Sequence, residues 1–181
     1  MIFEPFIIPF YTNILDVDLE RIQSKLKEFN NTNHDLVVDG VSTFNDNFSL
    51  LDHIPDLKEK LQEEVNIYTT NIGLCETVFT NSWSNTYNKD ARVLHHHHHG
   101  SVISGAFYVK ANGSCPIIFE NPFYKFRGVE KSSEGTPYSC SEQLLDTEDG
   151  LLILFPSWVT HYTLPNESEE RIVISFNTEH V

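Results

Sequence analysis

The sequence GLLILFPSWVTHYT occupies residues 150–163 and indicates what kind of fold the chain adopts. Two runs rich in β-branched and aromatic residues, Leu151-Phe155 and Trp158-Thr163, lie on either side of the turn signal Pro156-Ser157. This pattern is typical of two short strands joined by a turn. Similar runs, again separated by turn residues, occur at Thr77-Ser84, Val102-Val109, Pro116-Phe119 and Arg171-Phe176. The sequence therefore predicts a mainly β, antiparallel body.

Two amphipathic helices are expected ahead of this β body. Apolar residues recur at steps of three and four over residues 15–29. Pro55 is suited to the first turn of a second helix, and Gly73 lies just past its expected end. A chain of 181 residues fits one domain. We therefore expect a single domain, 1–181, with a helical N-terminal part at 1–74 and a β core at 75–181.

Composition excludes several classes of function. The chain has 12 Lys and Arg against 26 Asp and Glu, a formal net charge of −14. Such a charge disfavours binding to nucleic acid or to an anionic membrane surface. No apolar run approaches the roughly 20 residues of a membrane-spanning helix, and no basic segment typical of a secretion signal opens the chain. Three cysteines without CxxC spacing suggest reduced thiols, so a cytoplasmic location is expected.

Five consecutive histidines, His95 to His99, lie in the middle of the chain. On an extended segment, residues two apart point to the same side, so a His-x-His pair can offer two imidazoles to one cation. Imidazole suits iron, zinc, copper and nickel, and two ligands alone identify none of them. His161, 63 residues after His98, is the candidate for a third ligand.

Arg171 is the only Lys or Arg after Lys131, and it opens the apolar strand that follows it. A guanidinium group is a planar fork that matches a carboxylate, and one that enters a buried strand needs an anionic partner. Two interpretations are open at this point. Arg171 forms a surface ion pair with Glu169 or Glu170, or it binds an anionic ligand beside the metal.

Three blocks of sequence together resemble a known family. They are His96-x-His98 with the segment 104–109, the segment 150–161, and the segment 171–177. They resemble the 2-oxoglutarate/Fe(II)-dependent oxygenases of marine phages and bacteria, which are small relatives of the prolyl hydroxylases. The likeness runs from about Thr80 to the C-terminus. It implies a double-stranded β-helix, or jelly-roll barrel, with the two N-terminal helices packed on it.

The resemblance also implies a role for particular residues. It fixes the register within the histidine run, so that His96, His98 and His161 would bind Fe(II). Arg171 would hold the distal carboxylate of the cosubstrate 2-oxoglutarate. Tyr108 matches a tyrosine that hydrogen-bonds the same carboxylate in the hydroxylases.

The chain departs from the family's better-known members at two positions. His98 stands where those enzymes have a carboxylate ligand, and Val173 stands where a hydroxyl-bearing residue often contacts the cosubstrate. Asp90 and Glu120 are the candidates for a missing acid. Tyr87 lies near another position that contacts the cosubstrate in the family.

The function implied is an oxygenase that uses Fe(II), 2-oxoglutarate and O2 to hydroxylate a C–H bond of an unidentified peptide or small molecule. The polar segment 125–137 is expected to form a mobile loop that acts as a lid. One alternative is a three-histidine jelly roll without 2-oxoglutarate, either a zinc hydrolase or a cupin-type dioxygenase. Another is a metal-binding jelly roll without enzymatic activity. The oligomeric state is open, and a homodimer is one alternative.

Overall fold

The computed structural model describes residues 7–46, 48–111, 113, 115–126, 136 and 139–181. These residues form a mainly β fold with two α-helices, α1 (Leu19–Leu26) and α2 (Pro55–Ile72), and short 3-10 helices at Leu50–His53 and Tyr124–Phe126. In chain order the strands are β1 (Tyr11–Ile14), β2 (Thr32–His34), β3 (Val37–Ser42), β4 (Thr77–Val93), β5 (Ile103–Lys110), β6 (Ile117–Glu120), β7 (Glu142–Leu145), β8 (Leu151–Pro156), β9 (His161–Thr163) and β10 (Glu170–His180).

The strands form two antiparallel sheets. The large sheet has the order β1-β8-β5-β10-β4-β3-β2 and the small sheet has the order β7-β6-β9. A shared apolar cluster joins the sheets, with Tyr108 and Ile153 from the large sheet and Ile117 and Phe119 from the small one. The expected double-stranded β-helix is confirmed.

The side chains of strand β10 alternate between the apolar cluster that contains the helices and the space between the two sheets. Ile172, Ile174 and Phe176 belong to the apolar cluster that contains the helices. Arg171 and Val173 point the other way, into the space between the sheets. Because successive side chains of a strand lie on opposite faces, one strand can support the helices and also line a cavity.

The second helix agrees with the sequence prediction. Pro55 is the first residue of α2, and the helix ends at Gly73, which adopts a left-handed conformation with φ of 73°. A residue without a Cβ adopts this conformation at low cost, and glycine therefore commonly ends helices.

The first helix is shorter than the expected residues 15–29. Residues 11–14 instead form β1, which pairs with β8, and the Leu15 amide donates to the Gly150 carbonyl at 2.9 Å. The helix begins only after Asp18, whose side chain accepts a hydrogen bond from the Arg21 amide. The apolar periodicity was correct, but pairing with β8 holds the first part of the segment in an extended conformation.

The described residues up to 74 are therefore less helical than expected. Strands β1, β2 and β3 all lie in this part of the chain and extend the large sheet at both edges. A second correction concerns Trp158, which was expected to open a strand. The Val159 amide donates to the Pro156 carbonyl at 3.0 Å in a turn, so β9 begins only at His161.

Gly105 on β5 is required by close packing against β10. A Cβ at this position would overlap the ring of Phe176, which is fully buried. The glycine therefore allows β5 to pair with β10 while the aromatic ring fills the space above it.

Three other expectations can be compared with the structure. Neither helix of the described residues combines the length and the apolar composition of a membrane span. Cys75, Cys115 and Cys140 are free thiols. The expected mobile lid at 125–137 lies largely outside the described residues, since 127–135 and 137 are not among them.

Candidate metal centre

Three imidazoles from distant parts of the chain meet at one end of the fold. One ring nitrogen each of His96, His98 and His161 lies within 4.8 Å of the others. The backbone sets this arrangement, because His96 and His161 form a β-bridge with N–O distances of 3.1 and 2.9 Å. The His98 amide donates to the Ser157 carbonyl at 2.9 Å, which fixes the next residues of the run beside the turn after β8.

Two of these imidazoles are oriented by backbone carbonyls. Nδ1 of His96 lies 2.8 Å from the Leu94 carbonyl, and Nδ1 of His161 lies 3.0 Å from the Val159 carbonyl. A carbonyl oxygen can only accept, so Nδ1 carries the proton in both rings. Nε2 of each ring therefore keeps its lone pair and can bind a metal ion.

Burial keeps the three rings neutral. It is the main cause that lowers the pKa of His96, His98 and His161 below the usual value, that of His98 to about 3. The neighbouring imidazoles lower these pKa values further. A neutral imidazole is the charge state that binds a metal, so none of the three rings has to lose its charge first at neutral pH.

The other histidines of the run point elsewhere. Nε2 of His95 lies 3.3 Å from a Glu120 oxygen, and Nε2 of His97 lies 3.1 Å from Nε2 of His99. Glu120 therefore contacts His95 and is not part of the three-histidine cluster. Asp90 is not part of the cluster either.

Arg171 is a fully buried cation, with no exposed area. Its guanidinium carbon lies 4.4 Å from the centre of the Tyr87 ring, an arrangement that stabilises the charge. Nη2 donates to Thr163 Oγ1 at 3.3 Å and Nη1 to the Cys115 carbonyl at 3.5 Å, while Nε has no hydrogen-bond partner. Among the described residues, no carboxylate forms an ion pair with it. The site therefore fits an anionic ligand.

Arg171 does not form the surface ion pair with Glu169 or Glu170 that the sequence left open. Glu170 Oε2 lies 2.8 Å from Lys110 Nζ instead, on the opposite side of the strand. Glu169 is exposed, whereas the Arg171 side chain is buried between the sheets.

One cavity of about 310 Å³ contains both the imidazole cluster and the guanidinium group. Tyr87 and Tyr108 also line it. Burial raises the pKa of Tyr87 to about 12 and the pKa of Tyr108 well above its usual value. Both hydroxyls are therefore protonated and can donate to an anion. The structure thus brings His96, His98, His161, Arg171 and Tyr108 together with Tyr87, but not the candidate acids Asp90 and Glu120.

Asn85 is a polar residue of the cavity that the sequence analysis did not single out. It lies opposite Val173 in the pairing of β4 with β10, and its buried Oδ1 has no hydrogen-bond partner. A polar group is thus present beside the position where the family often has a hydroxyl. The signal in the sequence is its position two residues before Tyr87, on the same side of the strand.

An aromatic cluster leads from the surface to the imidazoles. The rings of Phe44, Phe48 and Trp83 contact one another at centroid distances of 4.7 to 6.0 Å, and Trp83 lies 6.0 Å from His98. Phe48 is 45% exposed, while Trp83 is buried. We call Phe44, Phe48 and Trp83 the aromatic wall.

A jelly roll with a three-histidine cluster and a buried, unpaired arginine in one cavity is the arrangement of a metal-dependent oxygenase with an anionic cosubstrate. The family model described as "Putative 2OG-Fe(II) oxygenase" matches residues 81–177, which are 97 of the 181 residues. The chain belongs to this 2-oxoglutarate/Fe(II) oxygenase family. No curated protein sequence matches the chain.

Solved structures with the same fold include a protein with 2-oxoglutarate bound, a prolyl hydroxylase and an epimerase. HygX from Streptomyces hygroscopicus with nickel and 2-oxoglutarate bound has a TM-score of 0.64 at 12% identity, covering 96% of this chain and 84% of HygX. A Pseudomonas putida prolyl-4-hydroxylase has a TM-score of 0.57 at 15% identity and covers 96% and 94%. The α-ketoglutarate-dependent epimerase SnoN from nogalamycin biosynthesis has a TM-score of 0.64 at 7% identity and covers 96% and 79%. At these identities the likeness concerns the fold.

The family's cofactors are Fe(II) and 2-oxoglutarate, and the donors of this chain fit both. Three neutral imidazoles suit iron, and a buried guanidinium with protonated tyrosines suits a dicarboxylate. Membership of the family separates the chain from zinc hydrolases, cupin-type dioxygenases and non-catalytic jelly rolls.

Proposed function

We propose that this oxygenase is a hydroxylase, which inserts one oxygen atom into a C–H bond of a peptide or small-molecule substrate. In this proposal His96, His98 and His161 hold Fe(II). Arg171 and Tyr108 hold the distal carboxylate of 2-oxoglutarate. When bound, iron and 2-oxoglutarate would supply the oxidising chemistry, in which the substrate, O2 and 2-oxoglutarate are converted to the hydroxylated product, succinate and CO2.

The buried charge of Arg171 is the observation that carries the proposal. A cation without exposed area is costly unless an anion accompanies it, and the described residues offer no carboxylate partner. The unpartnered Nε adds a donor that a ligand carboxylate can satisfy. A metal site without an anionic cosubstrate gives no reason to bury this charge.

Neighbouring side chains orient the cosubstrate. The Tyr87 ring packs on the guanidinium group and holds it in place. The Tyr108 hydroxyl, protonated because burial raises its pKa, donates to the same carboxylate. The Asn85 carboxamide replaces the hydroxyl that Val173 lacks as a hydrogen-bonding group for the cosubstrate, since the two residues are paired across β4 and β10.

The substrate enters along the aromatic wall. Phe48 is exposed at its outer end and Trp83 lies beside His98 at its inner end, so a substrate on the wall would place a C–H bond next to the metal. Of the described residues that line the cavity, Arg171 is the one Lys or Arg, and none is Asp or Glu. The wall therefore favours an uncharged, apolar or aromatic group on the substrate.

The test is anaerobic addition of Fe(II) and then 2-oxoglutarate to the full-length chain. Chelation of iron by 2-oxoglutarate produces a metal-to-ligand charge-transfer band in the visible, and succinate should form when O2 is admitted. Arg171→Ala should abolish the band while Fe(II) still binds. Arg171→Lys, which keeps the charge but lacks the fork, should give a weaker band at higher 2-oxoglutarate concentration.

His97→Ala is the matched control, because His97 belongs to the same run but points away from the cluster. It should keep both the band and succinate formation. A wild-type protein that binds Fe(II) but gives neither band nor succinate would contradict the proposal. Detection of the hydroxylated product by mass spectrometry, as a gain of one oxygen atom, separates hydroxylation from epimerisation.

A further inference from the structure

The imidazole of His98 differs from those of His96 and His161 because its Nδ1 faces a side-chain amide and not a backbone carbonyl. Nδ1 of His96 and of His161 face backbone carbonyls, which can only accept a hydrogen bond. Nδ1 of His98 lies 3.4 Å from Nδ2 of Asn177, on β10. A carboxamide can present either a donor or an acceptor, so the proton position on His98 depends on which way this amide points.

Asn177 belongs to a buried hydrogen-bond network. Its Oδ1 accepts from Ser104 Oγ at 2.7 Å, and its Nδ2 donates to Asn81 Oδ1 at 2.9 Å. Ser104 Oγ in turn lies 2.9 Å from Ser157 Oγ. Asn177, Ser104 and Ser157 are at most 5% exposed, so water contributes little to the bonding of these groups.

The orientation of the Asn177 amide determines whether His98 can bind a metal through Nε2. With Nδ2 toward the ring, Nδ1 accepts, and the proton of the neutral imidazole is on Nε2. A half-turn of the carboxamide exchanges Oδ1 and Nδ2. Nδ1–H of His98 then donates to Oδ1, and Nε2 carries the lone pair that a metal needs.

The network can follow this half-turn without losing a hydrogen bond. After it, Nδ2 of Asn177 donates to Ser104 Oγ, and Ser104 donates to Ser157, because hydroxyl groups rotate freely. The Asn81 carboxamide makes the same half-turn and donates to Asn177 Oδ1. Both orientations thus contain the same number of hydrogen bonds among these side chains, so the network can switch between them at low cost.

We propose that Asn177 is a positioning residue for His98, and that metal binding selects the orientation in which Asn177 Oδ1 accepts from His98 Nδ1–H. This inference rests on the proposed role of His98 as a metal ligand. A carboxylate ligand needs no tautomer to be chosen, whereas an imidazole does. Asn177 with Ser104 then holds the tautomer that the metal selects.

The first test is the affinity of the full-length protein for Co(II), followed by the visible absorption of the bound metal. Asn177→Ala should weaken binding by about 10- to 100-fold, the range for loss of a group that orients a ligand. Asn177→Asp should retain at least the wild-type affinity, because a carboxylate always presents an acceptor to Nδ1–H. Asn88→Ala, on the exposed part of β4, is the matched control and should bind Co(II) as the wild type does.

The second test reads the tautomer directly. In the wild-type protein loaded with Zn(II), 15N NMR should show His98 with its proton on Nδ1. The exchange of this proton with solvent should be faster in Asn177→Ala, since the acceptor is missing. A role in stability alone would leave both properties unchanged.

The outcomes separate the two proposals. If Asn177→Ala binds Co(II) within twofold of the wild type while His98→Ala does not bind it, the inference about Asn177 is wrong and the metal site stands. If Asn177→Ala does not fold, Asn177→Asp decides, and a loss of Co(II) affinity in that variant overturns the inference. If the wild type binds no metal, both proposals fall.

Discussion

His96 and His161 exchange two backbone hydrogen bonds, His96 N to His161 O at 3.1 Å and His161 N to His96 O at 2.9 Å. This bridge joins the histidine run to β9 and brings two imidazoles together through the main chain. The geometry of the cluster therefore does not depend only on side-chain rotamers. The chain fixes two of the three rings before any ligand is bound, which lowers the entropic cost of binding a metal.

Removal of a single imidazole from the cluster should release the metal. His96→Ala and His161→Ala are each expected to weaken Fe(II) binding by on the order of 100-fold or more, since loss of a ligand exceeds the effect of losing its hydrogen-bond partner. Anaerobic Fe(II) titration measures this. His99→Ala serves as control, because His99 pairs with His97 away from the cluster, and unchanged affinity in His96→Ala would remove that residue from the site.

Replacement of Arg171 by methionine should stabilise the protein and also abolish its response to 2-oxoglutarate. The substitution removes a buried charge without a counter-ion, so the free energy of unfolding in the absence of ligand should rise by about 1–2 kcal/mol. Urea unfolding measures this change. The wild type should gain thermal stability when Fe(II) and 2-oxoglutarate are added, because a ligand stabilises the state that binds it. An equal gain in Arg171→Met would show that the ligand binds elsewhere.

Val173→Thr should improve cosubstrate binding. The substitution keeps the shape of the side chain and adds a hydroxyl beside Arg171, in the cavity opposite Asn85. One additional hydrogen bond should lower the dissociation constant of 2-oxoglutarate by about three- to tenfold. The charge-transfer band titrated with 2-oxoglutarate gives the constant. Val173→Ala, which lacks the hydroxyl, should show no improvement, and an equal gain in both variants would indicate an effect of space alone.

Gly105→Ala should destabilise the fold without changing any residue of the metal cluster. Its methyl group would overlap the buried Phe176 ring, so the free energy of unfolding should fall by about 1–3 kcal/mol. Urea denaturation measures the loss. The double variant Gly105→Ala with Phe176→Leu should recover part of it, and strictly additive losses would mean that the two side chains do not collide.

The metal-free protein should lose stability as the pH falls below neutrality. Burial lowers the pKa of His98 to about 3, and it also lowers the pKa values of His96 and His161. Histidines of the unfolded chain have a pKa of about 6.5. Below that pH the unfolded state binds protons that the folded state does not, at a cost of up to about 1.4 kcal/mol per histidine and pH unit. Stability is therefore lost as the pH decreases from 6.5 toward the folded-state values.

Urea unfolding with a chelator at pH 7 and pH 5 measures this loss. Carboxyl groups also contribute to the loss of stability at low pH. The informative comparison is therefore with the triple variant His96→Asn, His98→Asn and His161→Asn. That variant should lose less stability between the two pH values. Equal losses in the two proteins would show that the three rings are not protected from protonation.

Much of the fold could be predicted from the sequence because its signals are local. Pro55 and Gly73 mark the ends of α2, and the aromatic and β-branched runs mark most of the central strands. Strand β1 was missed because residues 11–14 become a strand only by pairing with β8, about 140 residues later in the chain. A short segment has no local signal for such a partner.

The residues of the site could be predicted from the sequence more completely than their roles. The residue pattern pointed to His161 and Arg171, and the family resemblance fixed His96 and His98 within the run and added Tyr108. The structure brings all five into one cavity. Their roles in binding iron and 2-oxoglutarate stay predictions.

Neither Asn85 nor Asn177 was predicted as a site residue from the sequence. Asn85 is notable because Val173 lies opposite it, and Asn177 because Nδ1 of His98 faces it. Both relationships depend on which residues β10 brings opposite β4 and the histidine run. This pairing cannot be derived from a single sequence.

The alternation along β10 separates two kinds of evolutionary change. Substitutions at Ile172 and Ile174 affect packing against the helices, whereas those at Arg171 and Val173 affect the cavity. An engineer could thus redesign the helical side of the sheet for heat resistance and leave the chemistry untouched. Conversely, new substrate preferences could evolve on the inner side without rebuilding the scaffold.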